Sequence, residues 1–293
     1  MKRFFIFSAL AFALSLLAVS CSKEQDIIET NPEKEVISDT PQAKEGTVLT
    51  FTVSTEYEET KTTWDGSDVK WTNESVKILF DNGDTQDESI VVDGDNVTLS
   101  VTVPPEHTEE TFYVISPSSA IATLDGKTLT VTPPAQDGSF AKANVMAAKV
   151  DVGSGTISFK ALTHVMKFTL SDSNLYDRFY FTANKNSSVY IAGSVSTDFS
   201  KTEDVLNVTP NATGKYVDVS GLTTGSAQTY YFAVLPGQNL SKGIAFKAHN
   251  KDADDDTWQV GSYSTQDYKT TDRLKITNIG TLDTKWIRTK WCK

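Results

Sequence analysis

Asp252-Ala253-Asp254-Asp255-Asp256 gathers carboxylates within five residues, and clustered carboxylates supply the hard oxygen ligands that calcium takes. An EF-type loop beginning at Asp252 needs glycine at its sixth position and a bidentate glutamate at its twelfth, where Thr257 and Tyr263 stand. The cluster reads as a solvated acidic hairpin loop, with a calcium-dependent adhesin as the alternative. His107, His164 and His249 stand singly, none with a second histidine or cysteine at metal-ligand spacing. His164 adjoins an apolar run and reads as a hydrogen-bonded structural histidine. There is no GxSxG elbow, HExxH, Walker loop or dinucleotide fingerprint. The expectation is a protein that is not an enzyme and carries no metal and no cofactor. Trp64, Trp71, Trp258, Trp286 and Trp291 could stack on sugars, but strand pairing and core packing account for most tryptophans in β proteins.

One thiol has a more specific context. Met1-Lys2-Arg3 precedes an apolar run from Phe4 to Val19, too short for a membrane span and shaped as a secretory signal. Leu17-Ala18-Val19-Ser20-Cys21 then places small residues before a cysteine. This resembles a bacterial lipobox, which implies cleavage before Cys21 and acylation of its thiol. A lipid on Cys21 leaves Cys292 without a disulfide partner, so no disulfide framework is expected. The formal charge of −11 disfavours nucleic acid and is repelled by anionic membrane surfaces. Any membrane association then falls to the lipid.

The elements that carry these residues begin with a tether. Ser22 to Gly46 is acidic, holds two prolines and has no aromatic residue, so it buries too little to offset its ordering entropy. From Thr47 the pattern has period two: Leu49, Phe51 and Val53 share one face, and threonines the other. Similar runs recur at 76–80, 96–103, 111–115, 128–131, 156–160, 165–170, 179–182, 188–195, 216–219, 229–235, 243–248, 258–263 and 273–279. Asp65-Gly66, Asn82-Gly83, Asp93-Gly94, Asp125-Gly126, Asp137-Gly138 and Pro236-Gly237 supply tight turns. The pattern predicts an all-β fold of two consecutive antiparallel β-sandwich domains. Their expected limits are 1–20 for the signal, 21–46 for the lipidated tether, 47–153 for the first sandwich and 154–293 for the second.

Several segments, in order, are similar to the fimbrillin family, the type V pilins and pilus accessory proteins of gut and oral Gram-negative bacteria. They are Lys61-Thr62-Thr63-Trp64-Asp65-Gly66 with Val69-Lys70-Trp71, then Val76-Lys77-Ile78-Leu79-Phe80 and Phe112-Tyr113-Val114-Ile115-Ser116-Pro117. Met146-Ala147-Ala148, Phe159 to Phe168 and Tyr230-Tyr231-Phe232-Ala233-Val234-Leu235-Pro236 follow. The resemblance implies transthyretin-like sandwiches, surface export as an outer-membrane lipoprotein, and a role in adhesion. It also implies assembly with other pilus subunits by strand exchange: a protease removes the first strand, and a neighbour's strand fills the groove. Mapped here, the removable strand is Val48 to Ser54, the donor tail presents Ile287, Thr289 and Trp291, and Lys34 or Lys44 is the candidate cut site. Stalk members are cut after arginine, and none stands between Arg3 and Arg178. A lysine-tolerant protease or an uncleaved anchor are the two ways out. The rival reading is a non-polymerising glycan-binding surface lipoprotein, and surface glycans or proteins are the receptors either would meet.

Overall fold

Alternation of apolar and polar residues becomes strands that bury every second side chain, as in Thr47–Thr55, where Phe51 and Val53 are buried and Val48, Thr50 and Thr52 are exposed. The computed structural model describes residues 46–55, 60–61, 63–64, 69–107, 110–184, 188–203, 205–249, 258–263 and 271–282. Seven strands close into a ring in the order Thr47–Thr55, Thr156–Ala161, Met146–Asp151, Thr111–Ser116, Ser75–Leu79, Thr85–Asp93 and Asn96–Val103. The last of these pairs back onto the first. Asp93-Gly94 turns one hairpin of this ring, with Asp93 opposite Asn96 and Gly94 at φ 59°. Phe51, Ile78, Phe80, Leu99, Phe112, Ile157 and Phe159 fill its interior.

Beyond the ring, a three-stranded sheet (Gln228–Val234, His164–Leu170, Ile276–Leu282) and a four-stranded sheet (Tyr216–Ser220, Arg178–Ala183, Ile244–His249, Trp258–Tyr263) share one core. Phenylalanines dominate it. Phe181 stacks on Phe232 at 4.2 Å and on Phe179 at 5.9 Å, and Phe168 meets four aromatic rings. Full burial of each such ring stabilises by roughly 1.5–3 kcal/mol.

A third cluster joins the two assemblies. Leu79, Ile115, Leu129 and Val131 pack with Val195, Leu206 and Leu235. They lie under a four-stranded sheet ordered Thr209–Gly214, Ala192–Thr197, Thr128–Thr132 and Ile121–Asp125. Two of its strands precede residue 153 and two follow it. Buried polar side chains stitch the same region. The Gln136 side chain donates to the Pro134 and Lys142 carbonyls and accepts from Ala233 N–H, and Arg273 Nη1 donates to the Ala161 carbonyl at 3.1 Å.

The described chain is thus nearly all β, as the alternation predicts, although its first sheet is a closed ring and not two facing layers. The one helix among the described residues, Phe140–Ala143, starts at Ser139, whose Oγ accepts from Lys142 N–H. Among those residues no helix is long and apolar enough to cross a membrane.

Candidate functional site

The first strand closes the ring. Residues Thr47 to Thr52 pair antiparallel with Asn96–Val103, and Thr52 to Thr55 pair parallel with Thr156–Ala161, so the two registers overlap only at Thr52. Thr52 N–H donates to the Gly155 carbonyl at 3.0 Å. The inward side chains explain the strand's hold. Phe51 stands opposite Leu99 and meets Phe112 edge-on at 5.7 Å, Leu49 stands opposite Val101, and Val53 opposite Ile157. On its outward face Thr50 Oγ1 meets Ser100 Oγ at 3.1 Å and Ser54 Oγ donates to the Ile157 carbonyl. The sequence-expected removable strand, Val48 to Ser54, falls within this element. Without it, the facing strands would present an apolar groove and two unpaired ladder edges.

Residues 156 to 170 run from the ring into the second core, turning at Leu162-Thr163. Thr163 Oγ1 holds that turn by donating to the Ala143 carbonyl and accepting from Val145 N–H. Both terminal strands lie parallel to this segment: Thr47–Thr55 beside its first half and Ile276–Leu282 beside its second. Leu282 pairs with Leu170, at the end remote from the ring. Among the described residues, no strand pairs with the other edge of Ile276–Leu282.

Titratable groups are scattered. His107 Nδ1 lies 3.0 Å from Asp81 Oδ1, and His249 Nδ1 lies 3.4 Å from Asp177 Oδ1. His164 Nδ1 lies 3.0 Å from the Asp272 nitrogen and 2.6 Å from its carbonyl oxygen, and one ring nitrogen serves only one of them at a time. Burial pushes the His164 pKa down. Burial likewise raises Glu74 to about 7, against one hydrogen bond from Ser116 Oγ that favours the charged form. No three metal-ligating side chains converge among the described residues.

Trp71 is a core residue, buried against Phe159 at 5.3 Å, and so offers no sugar platform. Trp64 and Trp258 lie on short strands. Cys21, Lys34, Lys44, Asp252 to Asp256, Trp286, Ile287, Thr289 and Trp291 lie outside the described residues. Among the described residues, the large aromatic side chains exposed at the surface are Tyr190 and Tyr216. Tyr216 is 56% exposed, and its ring lies 5.0 Å from that of Tyr180 on the outer face of the four-stranded sheet. Their signal in the sequence was the outward phase of 178–182 and 216–220, which a search restricted to tryptophan passes over.

No protein-family model matches the chain, and no curated protein does. Among solved structures it is similar to a candidate cell adhesion protein of Bacteroides uniformis, at 13% identity over 81% of this chain and 93% of that one, with a TM-score of 0.45. A second candidate cell adhesion protein, from Bacteroides ovatus, matches at 9% identity over 78% and 90%, with a TM-score of 0.41. The fimbrial anchor protein Mfa2 of Porphyromonas gingivalis matches at 12% identity over 70% and 79%, with a TM-score of 0.25.

Proposed function

We propose that this chain is a fimbrial subunit or accessory protein with a role in adhesion and no catalysis. It is exported as a lipoprotein anchored through Cys21, displayed at the outer membrane, and assembled with other pilus subunits by β-strand complementation. The observation that carries this reading is the first strand's position. Among the described residues it bridges the strands Asn96–Val103 and Thr156–Ala161 directly, closing the ring, and its three inward side chains occupy the groove between them. A strand added in its place recovers ladder hydrogen bonds and alternate pockets together. The tail residues Ile287, Thr289 and Trp291 alternate as a strand seated in that groove requires. Head-to-tail addition of this kind does not close, and so makes a filament. The last described strand ends at Leu282 beside Leu170, at the end of that ladder remote from the ring, which favours a neighbour as acceptor.

Cleavage after Lys34 or Lys44 would leave Thr47–Thr55 on the mature chain. Release of the strand requires a cut beyond Thr55, and the first basic residue there is Lys61. The test is brief trypsin treatment of the protein from native cells, followed by intact mass and gel migration. The expected result is a terminus at Thr62 with heat-resistant ladders, both lost in Lys61→Gln. A lipidated Cys21 terminus on a chain that never ladders sinks the polymerising role. It would leave a non-polymerising glycan-binding surface lipoprotein, a second reading that the exposed Tyr216 favours.

A further inference from the structure

The outer face of the four-stranded sheet carries an arrangement that the strand-exchange reading does not use. Inward positions Val217 and Val219 fill the core, which turns Tyr216 and Asp218 outward. On the neighbouring strand Arg178, Tyr180 and Thr182 face the same way, with Tyr180 opposite Asp218 in the ladder. Three contacts fix this face. The Tyr180 and Tyr216 rings lie 5.0 Å apart, and the Arg178 guanidinium lies 5.1 Å from the Tyr180 ring centroid. Arg178 Nε and Nη2 grip the two Asp218 oxygens at 2.9 and 2.6 Å.

Tyr216 and Asp218 also line a cleft of about 270 Å³. Its lining includes the apolar side chains of Ile191, Val234 and Leu235, with Pro133 and Pro134 alongside. Gly193 shapes this cleft: the bulge between Ala192 and Gly193 holds Gly193 at φ 145°, and a Cβ there would lie 2.2 Å from the Asn211 carbonyl oxygen.

We infer that this face is a carbohydrate-binding site, in which one pyranose ring lies over Tyr216 and its hydroxyls bond the Arg178–Asp218 pair. Three features select this ligand class. A pyranose is amphipathic, presenting C–H bonds to an aromatic face and hydroxyls at its rim, and an exposed tyrosine pair beside a fixed polar fork matches both. The bidentate grip holds the Asp218 carboxylate in place while leaving it lone pairs to accept from hydroxyls. The chain's net charge of −11 disfavours acidic ligands and leaves neutral sugars. A purely apolar ligand would need only the cleft, and nothing on the fork. The site holds whether or not the first strand is exchanged, because it touches neither terminal strand.

The experiment is saturation-transfer difference NMR on the full mature chain with methyl α-D-mannoside, methyl β-D-glucoside and methyl β-D-galactoside, and with N-acetylneuraminic acid as the acidic probe. Saturation should reach the ring C–H protons of at least one neutral glycoside. Tyr216→Ala and Asp218→Asn should each weaken that signal at least tenfold, with unchanged far-UV circular dichroism. Tyr216→Phe should retain it, since the ring face is what binds. No transfer to any neutral glycoside, transfer that survives Tyr216→Ala, or an equal signal from the acidic sugar would overturn the assignment. Laddering after trypsin is read separately, so either proposal can fail alone.

Discussion

Truncating Phe51 to alanine should open the ring before anything else unfolds. The ring of Phe51 is 1% exposed, and its burial stabilises by roughly 1.5–3 kcal/mol. Its edge contact with Phe112 at 5.7 Å adds about 0.5–1.5 kcal/mol. The void left behind brings the expected loss to about 4 kcal/mol, within the range typical of Phe→Ala in cores. Since this element is the direct bridge between the two flanking strands among the described residues, that loss should fall on local opening, raising its equilibrium constant on the order of a thousandfold. Native-state hydrogen exchange read by mass spectrometry separates the outcomes. Amides in 98–103 and 156–159 should exchange far faster, while 166–170 and 230–234 keep their protection. Phe232→Ala, which removes the ring stacked on Phe181 at 4.2 Å, should do the reverse. Equal deprotection of both regions in Phe51→Ala would refute the idea that the first strand is separately releasable.

Three further outcomes follow from two desolvated titratable groups and one strained glycine. Glu74 is raised from 4.5 to about 7, so the fold holds a proton that the unfolded chain has released; its contribution is full below pH 4.5 and is lost as pH rises through 7. Glu74→Gln should therefore stabilise the protein at pH 8, by at most about 3 kcal/mol, with little gain at pH 4, as measured by urea denaturation. His164 is shifted the other way: its neutral form suits the fold, and stability declines as pH falls below its unfolded value near 6.5. His164→Gln should flatten the stability profile between pH 6.5 and 5, whatever it does to the absolute value. Gly193→Ala should lower the melting temperature by several degrees through strain at the bulge, at a cost of about 1–3 kcal/mol.

Strands whose apolar residues alternate along the sequence were legible: 47–55, 96–103 and 156–161 lie where their period places them, and so does 164–170, although its first three residues are all buried. Thr85–Asp93 was not, because its first half, Thr-Gln-Asp-Glu-Ser, is polar on both faces and only Ile90 is fully buried. Thr209–Gly214 escaped because Pro210 argues against a strand, although this one sits at a sheet edge, where proline is tolerated. Ser139 before Phe140 was a cap signal attached to a helix too short to show a period. Ring closure, and the sheet that interleaves 121–132 with 192–214, depend on pairing between distant segments, which local periodicity does not encode. The candidate strand site was readable as an alternating run; its role as the closure of a ring was not.

The parallel alignment of both terminal strands on residues 156–170 also decides how the molecule bears load. Tension drawing the first strand back toward its beginning and the last one on toward its end runs along both ladders in opposite directions. The hydrogen bonds are then sheared together rather than peeled one after another. A chain wired in this way, with its first strand still in place, resists pulling on that strand and on Ile276–Leu282 through the whole length of each ladder.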